Sequence, residues 1–281
     1  MKKIIRIVIS ISLLILVGCD SNIFSSLDKV DENSQEAVSQ AKYEAREGIN
    51  SGDYDTAIKN AEKIIRDYEM QGINNVNDFS DYQSIERDEY IEFQTIKAEA
   101  NLGKAGVSAL DVLEKVYKIT SNSDTNNSLI DIVNGIGDGL DNALDSFKKG
   151  LPSPEILSPD EKDKLKDVYQ TAGIAYGLKT AKLILNTLDT NNDKQINEND
   201  YPNPNKKEPN ITTNWKKNRE NIIRSLKFSI SYLSVALNSQ KAKNMLNILT
   251  RINNQLKKIP DNLSKKALTN ISNILTGKEA Y

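Results

Sequence analysis

From about residue 33 onward the apolar positions recur at the spacing of a helix face and continue to do so along the chain. That periodicity predicts an all-α fold. Ahead of it, Ser21 to about Glu32 is small and polar, a composition suited to a short tether. Within Ala41 to Glu69, AKYEAREGINSGDYDTAIKNAEKIIRDYE, the apolar and small residues keep helical spacing on both sides of Ser51-Gly52-Asp53. Gly52 can take the backbone conformation that ends one helix and Asp53 can cap the next, so the stretch predicts a helical hairpin with a very short turn. A second hairpin is expected after the polar spacer Gln71 to Asp81. In Glu89 to Ile119 the first arm carries Ala98, Ala100 and Gly103, and the second carries Ala109, Leu113 and Val116.

The segment GDYDTAIKNAEKII resembles the second half of a tetratricopeptide repeat. Gly52 and Tyr54 lie at the turn, and Ala57 and Ala61 offer small surfaces where two helices approach closely. Laid on this hairpin, Ala109 matches Ala57 and Leu113 matches Ala61, an offset of 52 residues against the roughly 34 of a regular array. The resemblance covers about residues 36 to 120. The fold it implies is a set of stacked antiparallel helical hairpins, tetratricopeptide-like and irregular.

Further helices follow. Ser128 to Lys149 reads as one helix with Leu129, Ile130, Ile132, Val133, Ile136, Leu140, Leu144 and Phe147 on a stripe. Gly135, Gly137 and Gly139 would cost that helix about 1 kcal/mol each relative to alanine. Their clustering points to close packing; a phosphate loop would need a preceding strand and a Lys that are missing here. Ser158-Pro159-Asp160-Glu161 is a helix start, and the helix runs to about Leu188 with a small-residue face of Ala172, Ala175, Gly177 and Ala181. Thr213 to Leu237, Lys241 to Lys257 and Leu263 to Leu275 show the same rhythm, and Trp215, Phe228 and Tyr232 read as core.

The sequence LDTNNDKQINENDY, Leu188 to Tyr201, separates two of these helices. A hard cation such as calcium takes six to eight oxygens from one compact loop, at positions 1, 3, 5, 7, 9 and 12. Counted from Asp189, those positions hold Asp189, Asn191, Asp193, Gln195 through its carbonyl, Asn197 and Asp200, with Ile196 at the apolar position 8. This resembles an EF-hand loop, and more closely the dockerin version, which ends in Asp. Lys194 stands where glycine normally supplies a left-handed turn, and Tyr201-Pro202-Asn203-Pro204 argues against a long exit helix. The resemblance implies a Ca2+ ion with a structural role; the other reading is an Asn/Asp-rich turn.

The N-terminus changes the picture of where the chain acts. Lys2, Lys3 and Arg6 precede an apolar run from Ile7 to Val17, too short for a stable spanning helix and suited to a secretory signal. Leu16-Val17-Gly18-Cys19 resembles the lipobox of bacterial lipoproteins, which implies cleavage before Cys19 and acylation of its thiol. Cys19 is the single cysteine of the chain, so no disulfide or Cys-ligated metal competes for it. The expected organisation is residues 1–18 signal, 19–32 tether, 33–200 acidic helical body ending in the calcium-type loop, and 201–281 basic helical region on the same body. The expected place is the cell envelope, outside the cytoplasm, either periplasmic or at the surface, with the membrane engaged only through lipid.

Charge is divided along the chain. Residues 19–200 carry 19 Lys+Arg against 35 Asp+Glu, and residues 201–281 carry 15 against 4. Either the two regions attract each other within one fold or the basic part meets an anionic partner. Nucleic acid is not expected, since no Arg-rich or aromatic-interleaved patch supports it. With 0 histidines and no usable cysteine, the chain lacks the Ser-His-Asp and Cys-His arrangements and His-ligated zinc. No carboxylate pair stands out as a hydrolase site, so no catalytic residues are assigned and no enzyme is expected.

Tetratricopeptide-type lipoproteins commonly serve as scaffolds or accessory subunits, so the resemblance implies an envelope scaffold with a protein partner. The alternatives are a substrate-binding accessory of a solute transporter, for which charged or aromatic groups should converge on a buried cavity, and a surface-exposed adhesin or antigen. An apolar groove at the surface would favour the scaffold.

Overall fold

The computed structural model describes residues 35–80, 84–108, 111–112, 114–115, 129–194, 200, 211–236 and 240–258. Among them the chain forms eight α-helices and no strand: α1 Gln35–Ser51, α2 Tyr54–Met70, α3 Ile85–Lys104, α4 Leu129–Asn134, α5 Leu140–Gly150, α6 Pro159–Leu188, α7 Ile211–Val235 and α8 Gln240–Lys258. The all-α expectation is met. The expected signal and tether, Cys19, the expected second arm of the second hairpin at Ala109, Leu113 and Val116, and the helix expected at Leu263 to Leu275 lie outside the described residues.

The first hairpin forms where its turn residues place it. Gly52 sits at φ 79°, and the Asp53 carboxylate accepts the Thr56 N–H at 3.1 Å. A Cβ on Gly48 would stand 2.8 Å from the Asp53 carbonyl oxygen, so glycine is what lets α1 and α2 close over the fully buried Ala57 and Ala61. Helix α3 packs along both. Gly103 lies against the Tyr54 ring, with no room there for a side chain.

Ser128 to Lys149 is not one helix. The chain leaves α4 at Asn134 and re-enters helix at Leu140, because Gly139 takes φ 120° and the Gly137 N–H donates to the Ala105 carbonyl at 3.0 Å. A Cβ on Gly139 would meet the Asn101 carbonyl oxygen at 2.5 Å. The glycines therefore break the helix where it crosses the end of α3, while Ile130, Val133, Leu140, Leu144 and Phe147 still turn inward.

Helix α6 starts on the expected box. Ser158 N–H donates to Glu161 Oε2 at 3.0 Å, Glu161 N–H donates to Ser158 Oγ at 3.3 Å, and Pro159 occupies the first turn. It is buried on several sides because α4 and α5 cover one flank and α7 and α8 another. Glycine makes the closest approach. A Cβ on Gly173 would fall 2.6 Å from Leu233 Cγ, and one on Gly177 would fall 2.8 Å from Met245 Cε. Ser229 Oγ donates to the Gly173 carbonyl at 2.6 Å and Ser225 Oγ to the Tyr176 carbonyl at 3.1 Å, which fixes the antiparallel register of α7 on α6. Tyr169, Tyr176, Phe228 and Tyr232 pack ring against ring across this joint. Trp215 is core as expected, at 0% exposure.

Candidate functional site

The calcium-type loop begins on the last turn of α6. Asp189 closes the helix through its N–H to the Leu185 carbonyl, 2.8 Å, and turns its carboxylate forward over the loop. There Asp189 Oδ1 accepts the Asp193 N–H at 3.1 Å and Oδ2 accepts the Lys194 N–H at 2.9 Å. Asn191 Oδ1 accepts the Asp193 N–H at 2.9 Å, and its amide donates to Asp193 Oδ2 at 3.1 Å. Asp200 arrives from the far end of the loop. It is 1% exposed, its Oδ1 accepts the Thr190 N–H at 2.8 Å, and its carbonyl accepts Thr190 Oγ1 at 3.0 Å.

Of the six predicted ligands, Asp189, Asn191, Asp193 and Asp200 are described, while Gln195 and Asn197 lie outside the described residues. One oxygen each from Asp189, Asp193 and Asp200 falls within 4.8 Å of the others. Calcium bonds oxygen at about 2.3–2.6 Å, so ligands around one ion stand no more than about 5 Å apart, and the three carboxylates fit that sphere. Their chemistry fits as well, since a hard divalent cation takes carboxylate oxygen and relieves the repulsion of like charges held close. Lys194, the residue that departs from the sequence pattern, sits at φ 62° and Asn192 at φ 58°. Lysine therefore adopts the left-handed backbone that glycine normally supplies, at a cost of roughly 1–2 kcal/mol. Two supports were not legible in the sequence: Thr190, which holds Asp200 by two hydrogen bonds, and Asn134 at the end of α4, whose amide donates to the Lys194 carbonyl at 3.2 Å.

A second feature lies at the other end of α6. A cleft of about 470 Å³ opens between the first turns of α1, α3 and α6. Val38, Ile91, Phe93, Leu165 and Val168 contribute apolar lining, and Ile85 stands at its lip, 78% exposed. Among its charged residues Lys42 pairs with Glu92 at 2.7 Å and Lys164 with Asp88 at 2.6 Å, Arg46 stands 3.8 Å from Glu92 and reaches past the lining to Glu99 at 2.7 Å, and Glu89 accepts the Tyr68 hydroxyl at 2.7 Å. Burial pushes the Glu99 carboxyl up, opposed by the Arg46 guanidinium. Sequence reading missed this cleft, because its walls come from three helices and periodicity reports each helix alone. The one local signal is Ile85, an aliphatic residue between the cap Ser84 and Glu86, where a first turn is normally polar.

The chain matches no family model, and comparison with curated proteins and with solved structures finds no match either.

Proposed function

We propose that the chain is a lipid-anchored, extracytoplasmic helical scaffold of the bacterial envelope that binds a protein partner, with one structural calcium ion. The observation that carries this reading is the cleft between α1, α3 and α6. Val38, Ile91, Phe93, Leu165 and Val168 give it an apolar part, polar and charged side chains such as the pairs Lys42–Glu92 and Lys164–Asp88 line the rest, and exposed Ile85 extends it outward. An apolar centre with a polar margin is the anatomy of a protein-docking groove. A solute site would instead gather its charged or aromatic groups on a buried cavity. The anchor rests on Leu16-Val17-Gly18-Cys19, with acyl chains on Cys19 as the attachment, and the tetratricopeptide-like hairpin at residues 36–70 belongs to the same scaffold reading. In the loop, Asp189, Asn191, Asp193 and Asp200 would hold the ion with Gln195 and Asn197. Calcium bound there supplies charge neutralisation and a fixed loop; Thr190 and Asn134 tie that loop to α6 and α4.

The test is a photoreactive residue placed at Ile85 or, as a control, at exposed Lys59 in cells that make the full chain. The expected result is one adduct of defined mass from Ile85, lost when Val38→Asp is added, and none from Lys59. Equal labelling at both positions contradicts the proposal. The anchor is tested separately by the mass of the mature chain and by release of a Cys19→Ala variant from membranes.

A further inference from the structure

Helices α7 and α8 carry ten Lys and Arg against a single acidic residue, Glu220. On α7 the exposed positions Lys216, Lys217, Glu220, Arg224 and Lys227 recur every three to four residues and so form one outward stripe. On α8, Lys243 and Lys257 are exposed at the two ends of a stripe that runs through Asn247, Thr250 and Asn254. None of these six cations has an ion-pair partner among the described residues, whereas the lysines of α3 and α6 at 97, 104, 164 and 179 are paired at 2.6–2.9 Å. The inward faces are occupied by Trp215, Ile222, Leu226, Leu233, Met245 and Leu249, so the stripes face away from the body. Like charges fixed on one face repel, and a layer of anions would relieve that repulsion.

We infer that the outward faces of α7 and α8 form a docking surface for the anionic headgroups of a phospholipid bilayer. Five lysines and Arg224 spread along two helices, with no paired guanidinium fork among them, suit a fluid array of headgroups better than one shaped acidic ligand. The large apolar side chains exposed among the described residues are Tyr43, Met70, Ile85 and Ile156, none of them on these helices. Contact is therefore electrostatic and salt-sensitive, without insertion. Placement supports it too, and this argument alone rests on the lipid-anchor reading. Residues 19–34 span at most about 50 Å when fully extended, which keeps an anchored body near the surface.

The test uses the chain from Asp20 to Tyr281, which retains every described helix and carries no lipid, so its outcome is independent of Cys19. It is sedimented with vesicles of phosphatidylglycerol and phosphatidylcholine, or of phosphatidylcholine alone, at two salt concentrations. One variant carries Lys216→Glu, Lys217→Glu, Arg224→Glu and Lys227→Glu. Another carries Lys59→Glu, Lys115→Glu, Lys148→Glu and Lys162→Glu, the same change in net charge at exposed positions of the body. Binding to the anionic vesicles alone is expected, weakened by salt, reduced at least about tenfold in the α7 variant and within about twofold of the parent in the other. Thermal melts verify folding, and the corresponding Lys/Arg→Gln set is read if the α7 variant does not fold. Equal binding to neutral vesicles, or equal loss in the two variants, overturns the inference. Capture of soluble polyglutamate through the same α7 cations, without vesicle binding, also overturns it and assigns the face to an acidic polymer.

Discussion

Between α1, α2, α3 and α6 the helices are cross-linked by charge: Arg46 to Glu99, Lys97 to Glu62, Lys104 to Asp55, Arg87 to Glu161 and Lys164 to Asp88. Between α6 and α7 the described contact is of another kind, made of glycine, serine hydroxyls on carbonyls and packed rings. The acidic and basic regions thus meet through a close apolar seam at Gly173 and Gly177, with the cations of α7 on its far side. Opposite net charge along a sequence does not by itself place the two charges face to face. The side on which the cations stand relative to the apolar stripe decides that, and here the stripe of α7 is turned onto α6.

The largest effect should come from wedging the seam. Gly173→Val places carbon against Leu233 and its backbone, and should cost about 3 kcal/mol in denaturant unfolding. Gly135→Ala is the contrasting control, because a Cβ there meets nothing nearer than 3.6 Å, and it should leave stability nearly unchanged. Next is the charged side of the comparison. Arg87 is only 4% exposed at its side chain and Glu161 both pairs with it and closes the α6 cap, so Glu161→Ala should cost about 2 kcal/mol.

The same residue predicts a pH dependence. The Ser158 N–H, with smaller help from Arg87, holds the Glu161 carboxyl below its ordinary value of 4.5. A carboxyl depressed in the folded state stabilises above its unfolded value and loses that contribution as acid protonates it. Melting temperature should therefore fall as pH drops below about 4.5, and Glu161→Gln should show less of that fall. The smallest effect belongs to the outward cations. Replacing Lys216, Lys217, Arg224 and Lys227 together by Gln should change stability by less than about 0.5 kcal/mol, since none has an ion-pair partner among the described residues; a larger loss would mean that charge joins the two regions after all.

Much of this was legible in the sequence where local chemistry decides. Gly52-Asp53 set a turn, Ser158-Pro159 with Glu161 set a helix start, and both formed as read. The stripe from Leu129 to Phe147 was read correctly for burial at its described positions but not for continuity. Whether three glycines pack inside a helix or break it depends on Asn101 and Ala105, residues of another helix that periodicity does not show. The loop carboxylates were found by spacing, which a compact loop encodes directly. Thr190 and Asn134 were not, because their partners lie 10 and 60 residues away. The cleft was invisible for the same reason.

The proposed calcium ion would hold the loop at the end of α6, beside the apolar seam between α6 and α7. Asn218 on α7 donates to Thr187 at 3.1 Å, and Trp215, three residues earlier on an antiparallel helix, stands level with that loop. It is the only tryptophan in the chain, so its emission reports the joint directly. The decisive measurement is a calcium titration followed by Trp215 emission and thermal melting, beside an Asp189→Ala, Asp193→Ala variant. The account predicts a saturable emission change and, at 100-fold excess over the dissociation constant, a stabilisation of about 2.7 kcal/mol, both lost in the variant. No change in either signal with calcium would contradict it and reduce the loop to a polar connection between α6 and α7.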